Sequence, residues 1–200
     1  MKIIKPCYEI LSEINREDIL KRIESAGRIC YKSENKITED SSSKFVKMVV
    51  NRGHLSVIEH ISLTVKFICD RGVSHELVRH RLASFSQEST RYCNYSKDKF
   101  GSELTFIEPC FFEGLEYVLW KQAMEFAEKQ YFLLLEKGAK PEEARSVLPN
   151  SLKTELVMTA NLREWKHILK LRTSKASHSQ MQELMIPLYA ELRRILPEIF

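Results

Sequence analysis

Apolar positions change their period along the chain, and each change marks a new element. Ile19, Leu20, Ile23, Ala26 and Ile29 recur at three- and four-residue steps, which predicts a helix over residues 16–31. Phe45, Met48 and Val49 share a face of a second helix over 39–51, stopped at Gly53. The step then shortens to two. Ile61, Leu63, Val65, Phe67 and Cys69 alternate with Ser62, Thr64, Lys66 and Ile68, the pattern of a half-buried strand. Ser74 stands where it would cap a helix over 75–82, residues 94–103 are turn-rich, and 104–108 reads as a second strand of the same sheet. The longest helix falls at 113–137, closed by Gly138. Pro141, Glu142 and Glu143 open a short helix that Pro149 ends. A strand at 152–160, a helix at 163–171 and a last helix at 179–195, kinked at Pro187, follow. Residues 2–10 read as an edge strand carrying Pro6. Helices and strands interspersed in this way predict an α+β (mixed α/β) class.

No internal repeat or Gly/Ser linker interrupts the pattern, so one domain over 1–200 is expected. Hydrophobic residues at 44% and charged residues at 29% exclude collagen-like and wholly disordered chains. No apolar run approaches the roughly 18 residues of a membrane span. The first segment turns charged too soon for a signal peptide. Lysine and arginine number 31 against 27 acids, and the resulting +4 favours anionic ligands without demanding nucleic acid. Cys7, Cys30, Cys69, Cys93 and Cys110 are odd in number and form no CxxC pair. They point to a reducing cytoplasm rather than to a disulfide framework or a cysteine-rich zinc site.

Chemistry concentrates in three segments. The first, 79–92, packs Arg79, His80, Arg81 and Arg91 with Ser84, Ser86 and Ser89. Guanidinium forks match phosphate, and serine hydroxyls with turn N–H groups fill smaller gaps, so a loop at 86–91 would wrap an anion. On the expected helix His75 and Arg79 share a face, as do Glu76 and His80. The plain alternative is a solvated basic helix end. The second segment, Gly53-His54-Leu55-Ser56-Val57-Ile58-Glu59-His60, holds two histidines six apart, which does not match a zinc-protease helix, and no metal is expected. The third runs from Asn161, Leu162 and Arg163 to Leu171 and Arg172. Arg172 falls in a last helical turn that welcomes a cation, and Trp165, Ile168, Leu169 and Leu171 read as core.

Together the segments resemble the flavin-dependent thymidylate synthases. Arg79-His80-Arg81, seven residues and then Ser89 is similar to that family's RHR signature. Upstream, GHLSVIEH resembles its GHxSxxEH element. Downstream, Ala144-Arg145-Ser146-Val147-Leu148-Pro149 resembles ARxVLP, and Asn161-Leu162-Arg163 through Leu171-Arg172 resembles NLR…LR. The resemblance covers roughly residues 53–178, in order. It implies a central, mostly antiparallel sheet packed with helices, assembled as a cytoplasmic homotetramer with sites shared between subunits. It also implies methylation of dUMP to dTMP, with 5,10-methylenetetrahydrofolate as carbon donor and FAD, reduced by NADPH, as reductant.

By family position the substrate dUMP falls to Glu76, Arg79, Gln87, Glu88, Ser89, Thr90, Arg91 and Arg145, and FAD to His54, Ser56, Arg79, His80, Arg81, Gln87, Asn161, Arg163 and His167. Arg172 is the implied catalytic residue, set against the uracil edge. There is no glycine-rich dinucleotide fingerprint, so a Rossmann site is not implied. The chain departs from the common pattern at Ser86-Gln87-Glu88, where Asn-Glu is frequent, at Glu76 in place of glutamine, and at His167 in place of asparagine. Ser89 lacks a base held by an acid and is read as a hydrogen-bonding group, not a nucleophile.

Two rivals stay open on the residues alone. A cysteine-dependent thymidylate synthase would use Cys110, read here as a small buried residue. A nucleic-acid-binding module would use 79–91, with Tyr92 and Tyr95 for stacking.

Overall fold

Pro6 divides the first expected strand in two. In the computed structural model, which describes residues 1–97 and 101–200, β1 (Lys2–Ile4) and β2 (Cys7–Ile10) flank the proline and enter different sheets. Residues 98–100 of the turn-rich stretch 94–103 lie outside the described residues. β1 pairs in parallel with β5 (Thr105–Ile107), Ile3 opposite Phe106. The strand expected at 104–108 therefore exists, but it does not join the main sheet.

That sheet has the order β2-β3-β6-β4, with β3 at Ser62–Asp70, β4 at Ala83–Gln87 and β6 at Lys153–Asn161. β3 and β6 run antiparallel. Leu162 N–H donates to Ile61 O at 2.9 Å, and the Thr64 and Thr159 hydroxyls meet at 2.9 Å, so the partners step in opposite directions. Leu63, Val65, Phe67 and Cys69 are the buried positions of β3, as the alternation requires. β4 corrects an expectation. Residues 83–87 form a strand, with Ser84 and Ser86 exposed on it, so the loop expected at 86–91 starts only after Gln87.

Packing gathers the chain into two compact units. The first comprises Met1–Cys7, Phe67–Arg79 and Phe85–Val157. Its core forms around Leu104, Phe106, Trp120, Met124, Tyr131 and Leu152, with α4 (Gly114–Glu136) as the main helix. Trp120 Nε1 donates to Ser151 Oγ at 3.0 Å, so the buried indole keeps a partner. Gly138, at φ +92, takes the left-handed turn that ends α4. Here α3 (Arg71–Leu77) is capped by Asp70, whose Oδ1 accepts from Val73 N–H at 2.7 Å, and not by Ser74. Ser74 sits inside the helix with its hydroxyl on Arg71 O. A strand ending on an aspartate brings the cap four residues early, so the helix is over before Arg79. The pairs His75/Arg79 and Glu76/His80 consequently do not share a helix face. Cys110 is exposed, not buried, and all five cysteines are free. α5 (Pro141–Ala144) continues into a 3₁₀ turn, Arg145–Val147.

The second unit comprises Tyr8–Lys66, His80–Ser84 and Met158–Phe200. α1 (Arg16–Ile29) packs on α2 (Ser41–Asn51) and on the 3₁₀ turn Leu55–His60. Gly53, at φ +77, turns the chain out of α2 and into His54. α6 (Leu162–Arg172) packs on the same 3₁₀ turn and on α7 (Ser179–Ile195), which contains Pro187. Trp165 is fully buried and its Nε1 donates to Leu63 O at 3.0 Å, which fixes α6 against β3. Leu171, read from sequence as core, is exposed. Glu198 receives Arg16 and, at 2.7 Å, the Ser43 hydroxyl, tying the chain end to α1 and α2. Among the described residues no helix is long and apolar enough to cross a membrane.

Candidate active site

The first unit holds most of the residues implied for the nucleotide. A turn after β4 presents Glu88, Ser89, Thr90 and Arg91, and the 3₁₀ turn after α5 presents Arg145. Arg145 donates to the Thr90 hydroxyl at 3.4 Å, and Arg91 N–H to Ser89 Oγ at 3.3 Å. Arg91 Nε also donates to Glu142 Oε2 at 2.8 Å, in an exposed ion pair. Two exposed arginines, one serine and one threonine thus come from two turns joined by the Arg145–Thr90 contact, a donor set of the kind that matches phosphate. Arg79 lies beyond the end of α3 and is exposed, while Glu76 is half-buried on that helix.

Gln87 and Glu88 are committed inward. The Gln87 amide donates to Ser74 Oγ at 2.9 Å and to Thr154 Oγ1 at 3.2 Å. Glu88 accepts from the Tyr95 hydroxyl at 2.8 Å and from Lys153 at 2.9 Å, and Lys153 also reaches Glu155 at 2.7 Å. Burial alone would lower the Lys153 pKa, but hydrogen bonds to Glu155 and Glu88 outweigh it and raise the value. Burial first, and then the Glu88 charge, drive the Tyr95 phenol upward, so this hydroxyl donates and does not ionise. Lys153 and Tyr95 were not among the expected site residues. Their roles depend on a contact between strand and turn that no local motif records.

The second unit holds the remaining positions. Asn161, Arg163 and His167 line a cavity of about 780 Å³, with Leu55 and Leu82 as apolar wall and Lys166 and Lys170 as further cations. Arg81 lines a smaller hollow of about 360 Å³ that shares Glu59, Leu82 and Asn161 with the first. His54 and Ser56 line a different cavity of about 570 Å³, with Arg28, Lys36 and Arg52. Asn161 Oδ1 caps α6 by accepting Glu164 N–H at 2.9 Å, so its NH₂ is the group best placed to donate to a ligand. Arg163 pairs with Glu59 at 2.5 Å. An apolar wall among cations, at a volume typical of ligand sites, suits an anionic aromatic molecule.

His80 is turned inward, with 6% exposure. Its Nε2 accepts from Arg172 Nε at 2.9 Å, and its Nδ1 lies 3.6 Å from Glu164 Oε1. The His167 ring stands edge-on, 6.1 Å away. Burial, then Arg172, then His167 lower the His80 pKa to about 4, so the ring is neutral near neutral pH. Glu164, buried at 7% exposure, was not singled out from sequence. Its spacing of three from His167 on one helix was the available sign.

Relatives answer the same description. A family model described as "Thymidylate synthase complementing protein" matches residues 11–198. The flavin-dependent thymidylate synthase of Pyrococcus abyssi is 33% identical over 81% of this chain and 67% of its own length. That of Geobacter sulfurreducens is 32% identical over 88% and 78%. The chain belongs to the flavin-dependent thymidylate synthase family. The fold agrees independently. A crystal structure of the UMP/dUMP methylase PolB from Streptomyces cacaoi, bound with 5-Br dUMP, superposes with a TM-score of 0.82 at 23% identity, covering 100% of this chain and 95% of that one. Within a flavin-dependent thymidylate synthase the four ordered motifs have a common purpose, which neither the Cys110 rival nor the nucleic-acid rival supplies.

Proposed function

We propose that this chain converts dUMP to dTMP by reductive methylation at C5, with 5,10-methylenetetrahydrofolate as the carbon donor. The observation that carries the reading is Arg172, half-buried at the end of α6 and held at Nε by His80 within a chain of this family. A fixed guanidinium at the uracil edge favours the N3-deprotonated ring. That ring is richer in electrons, and its C5 attacks the methylene carbon more readily as one folate N–CH₂ bond opens; the C5 proton then leaves, and the second N–CH₂ bond breaks to release tetrahydrofolate when methylene becomes methyl. No protein nucleophile is needed.

The turn at Ser89, Thr90 and Arg91, with Arg145, binds the monophosphate. Glu76, Arg79, Gln87 and Glu88 complete the nucleotide set, Gln87 and Glu88 by bracing the turn from within. FAD fits the second unit: Arg81, Asn161, Arg163 and His167 offer cations and amide N–H groups, beside the apolar Leu55 and Leu82. His54 and Ser56 add a further contact region. When bound and reduced by NADPH, the flavin supplies the reducing equivalents that convert methylene to methyl.

The working form is a cytoplasmic homotetramer of one-domain chains. In support, α4 exposes Leu115, Val118, Leu119 and Phe126 along one stripe. Apolar stripes of this kind mark protein–protein contacts. Light scattering on the purified protein checks the assembly, with a monomer as the contrary result. Tritium release from C5-labelled dUMP, with and without NADPH and FAD, tests the reaction. Release is expected only when both are present; release that ignores the flavin overturns the reading.

A further inference from the structure

We propose that His80 is the positioning residue for Arg172, its Nε2 lone pair fixing the direction of the guanidinium while Glu164 keeps the imidazole proton on Nδ1. The inference rests on the reading of Arg172 as the group against the uracil.

Proton bookkeeping leads to it. Arg172 Nε carries a hydrogen and has no lone pair to offer, so at 2.9 Å it can only donate. His80 Nε2 must then be the unprotonated nitrogen, and the single proton of a neutral imidazole sits on Nδ1. Nδ1 faces Glu164 Oε1 at 3.6 Å, too long for a hydrogen bond. The carboxylate charge at that distance still favours a proton on the near nitrogen. The opposite tautomer would set two N–H groups against each other at 2.9 Å.

Among the described residues, Arg172, Glu164 and His167 face the ring, all from α6. α6 is itself clamped by the Trp165 contact to Leu63 O, so the three arrive at His80 as one rigid face. His80 comes from the short segment between α3 and β4, which makes the contact with Arg172 long-range and specific to the folded chain.

The same geometry opposes a competing use of these side chains. Ligand atoms of His80, Glu164 and His167 lie within 4.8 Å of one another, close enough for one ion. An ion on Nδ1 would drive the proton to Nε2 and turn a donor toward Arg172. The arrangement as built serves the arginine.

The test pairs a structural readout with kinetics. In ¹⁵N-histidine-labelled protein without FAD, His80 is expected as the Nδ1–H tautomer at neutral pH, and an Nε2–H tautomer overturns the proposal. His80→Leu removes the acceptor. It is expected to lower kcat for dTMP formation by about 10²-fold, the scale of a misplaced reacting group. The KM for dUMP should move by less than about threefold, because ground-state binding is made elsewhere. His80→Gln, whose Oε1 restores an acceptor toward Arg172, should recover most of kcat. Near-normal kcat in His80→Leu overturns the proposal, as does a His80→Gln enzyme that folds and takes up FAD but is as slow as His80→Leu. If His80→Leu does not fold, His80→Gln and the tautomer decide. A wild-type protein that makes no dTMP defeats the dUMP reading and leaves the tautomer result standing by itself.

Discussion

Arg172 and Arg91 are both implied to meet dUMP, and the fold treats them in opposite ways. Arg172 gives its Nε–H to a buried, neutral imidazole. Arg91 gives its own to the exposed carboxylate of Glu142, with its guanidinium over the Tyr92 ring at 5.2 Å. An imidazole acceptor fixes direction and takes no positive charge from the arginine. A carboxylate neutralises the arginine it holds, and an exposed pair of this type is worth at most about 1 kcal/mol. The difference separates a group that must be aimed before substrate arrives from one that can exchange one anion for another. Electrostatic stabilisation of developing charge depends on donors that need no reorganisation. Phosphate binding tolerates a partner that swings.

The comparison breaks first at Arg172. Arg172→Ala should reduce dTMP formation by about 10³-fold or more, the scale of losing a preorganised charge, with the circular dichroism spectrum unchanged. Near-normal turnover would sink the assignment. Arg145→Ala should act on binding instead. Loss of one charged hydrogen bond to the phosphate raises the KM for dUMP by roughly 10-fold or more, while kcat at saturation holds within a few-fold. Ser89→Ala should follow the same split with a smaller rise. A fall confined to kcat in either variant would place these residues with Arg172 and erase the distinction.

A stability measurement sharpens the comparison from the other side. His80 is pushed down from the ordinary histidine value of 6.5 to about 4. Between those values the unfolded chain binds a proton that the folded chain refuses, so stability falls as pH drops through that window and is unaffected above it. The full effect is at most about 3 kcal/mol. Glu198, held below the ordinary carboxylate range by Arg16 and Ser43 against the opposing effect of its burial, loses stability in the same direction. The comparison of wild type with His80→Gln isolates the histidine: the thermal midpoint of the variant should fall less steeply below pH 6.5. Identical slopes would mean that His80 is exposed to solvent in solution.

How much of this was written locally depends on the range of each contact. The strand at 62–70 and the helices at 16–29 and 162–172 follow from periodicity, because each buries one continuous face. The motif positions led to the two arginine turns and to the cavity around Asn161. Where the reading failed, a partner distant in sequence decided the outcome. β4 is a strand because β6, far along the chain, pairs with it, and just past its end Glu88 N–H reaches Glu155 O at 2.9 Å. β1 leaves the main sheet because β5 receives it. Lys153 gains its role from Glu88, distant in sequence, and Glu164, whose one local sign is its spacing from His167, gains its role from His80. Buried polar contacts of this kind leave no periodicity, since the fold brings together single residues and not faces.

The smallest expected effect is the most direct probe of the exposed arginine. Glu142→Gln removes the carboxylate that occupies Arg91 while keeping an acceptor of the same size. If Arg91 exchanges Glu142 for phosphate, the variant binds dUMP more tightly, since one competing anion is gone. The gain is bounded by the worth of an exposed ion pair, so the KM should fall by no more than about fivefold. It should shrink further as salt rises, because screening already loosens the pair in the wild type. A rise in KM would instead make Glu142 a support that holds Arg91 toward the substrate, and the two arginines would then be held by the same principle with different partners.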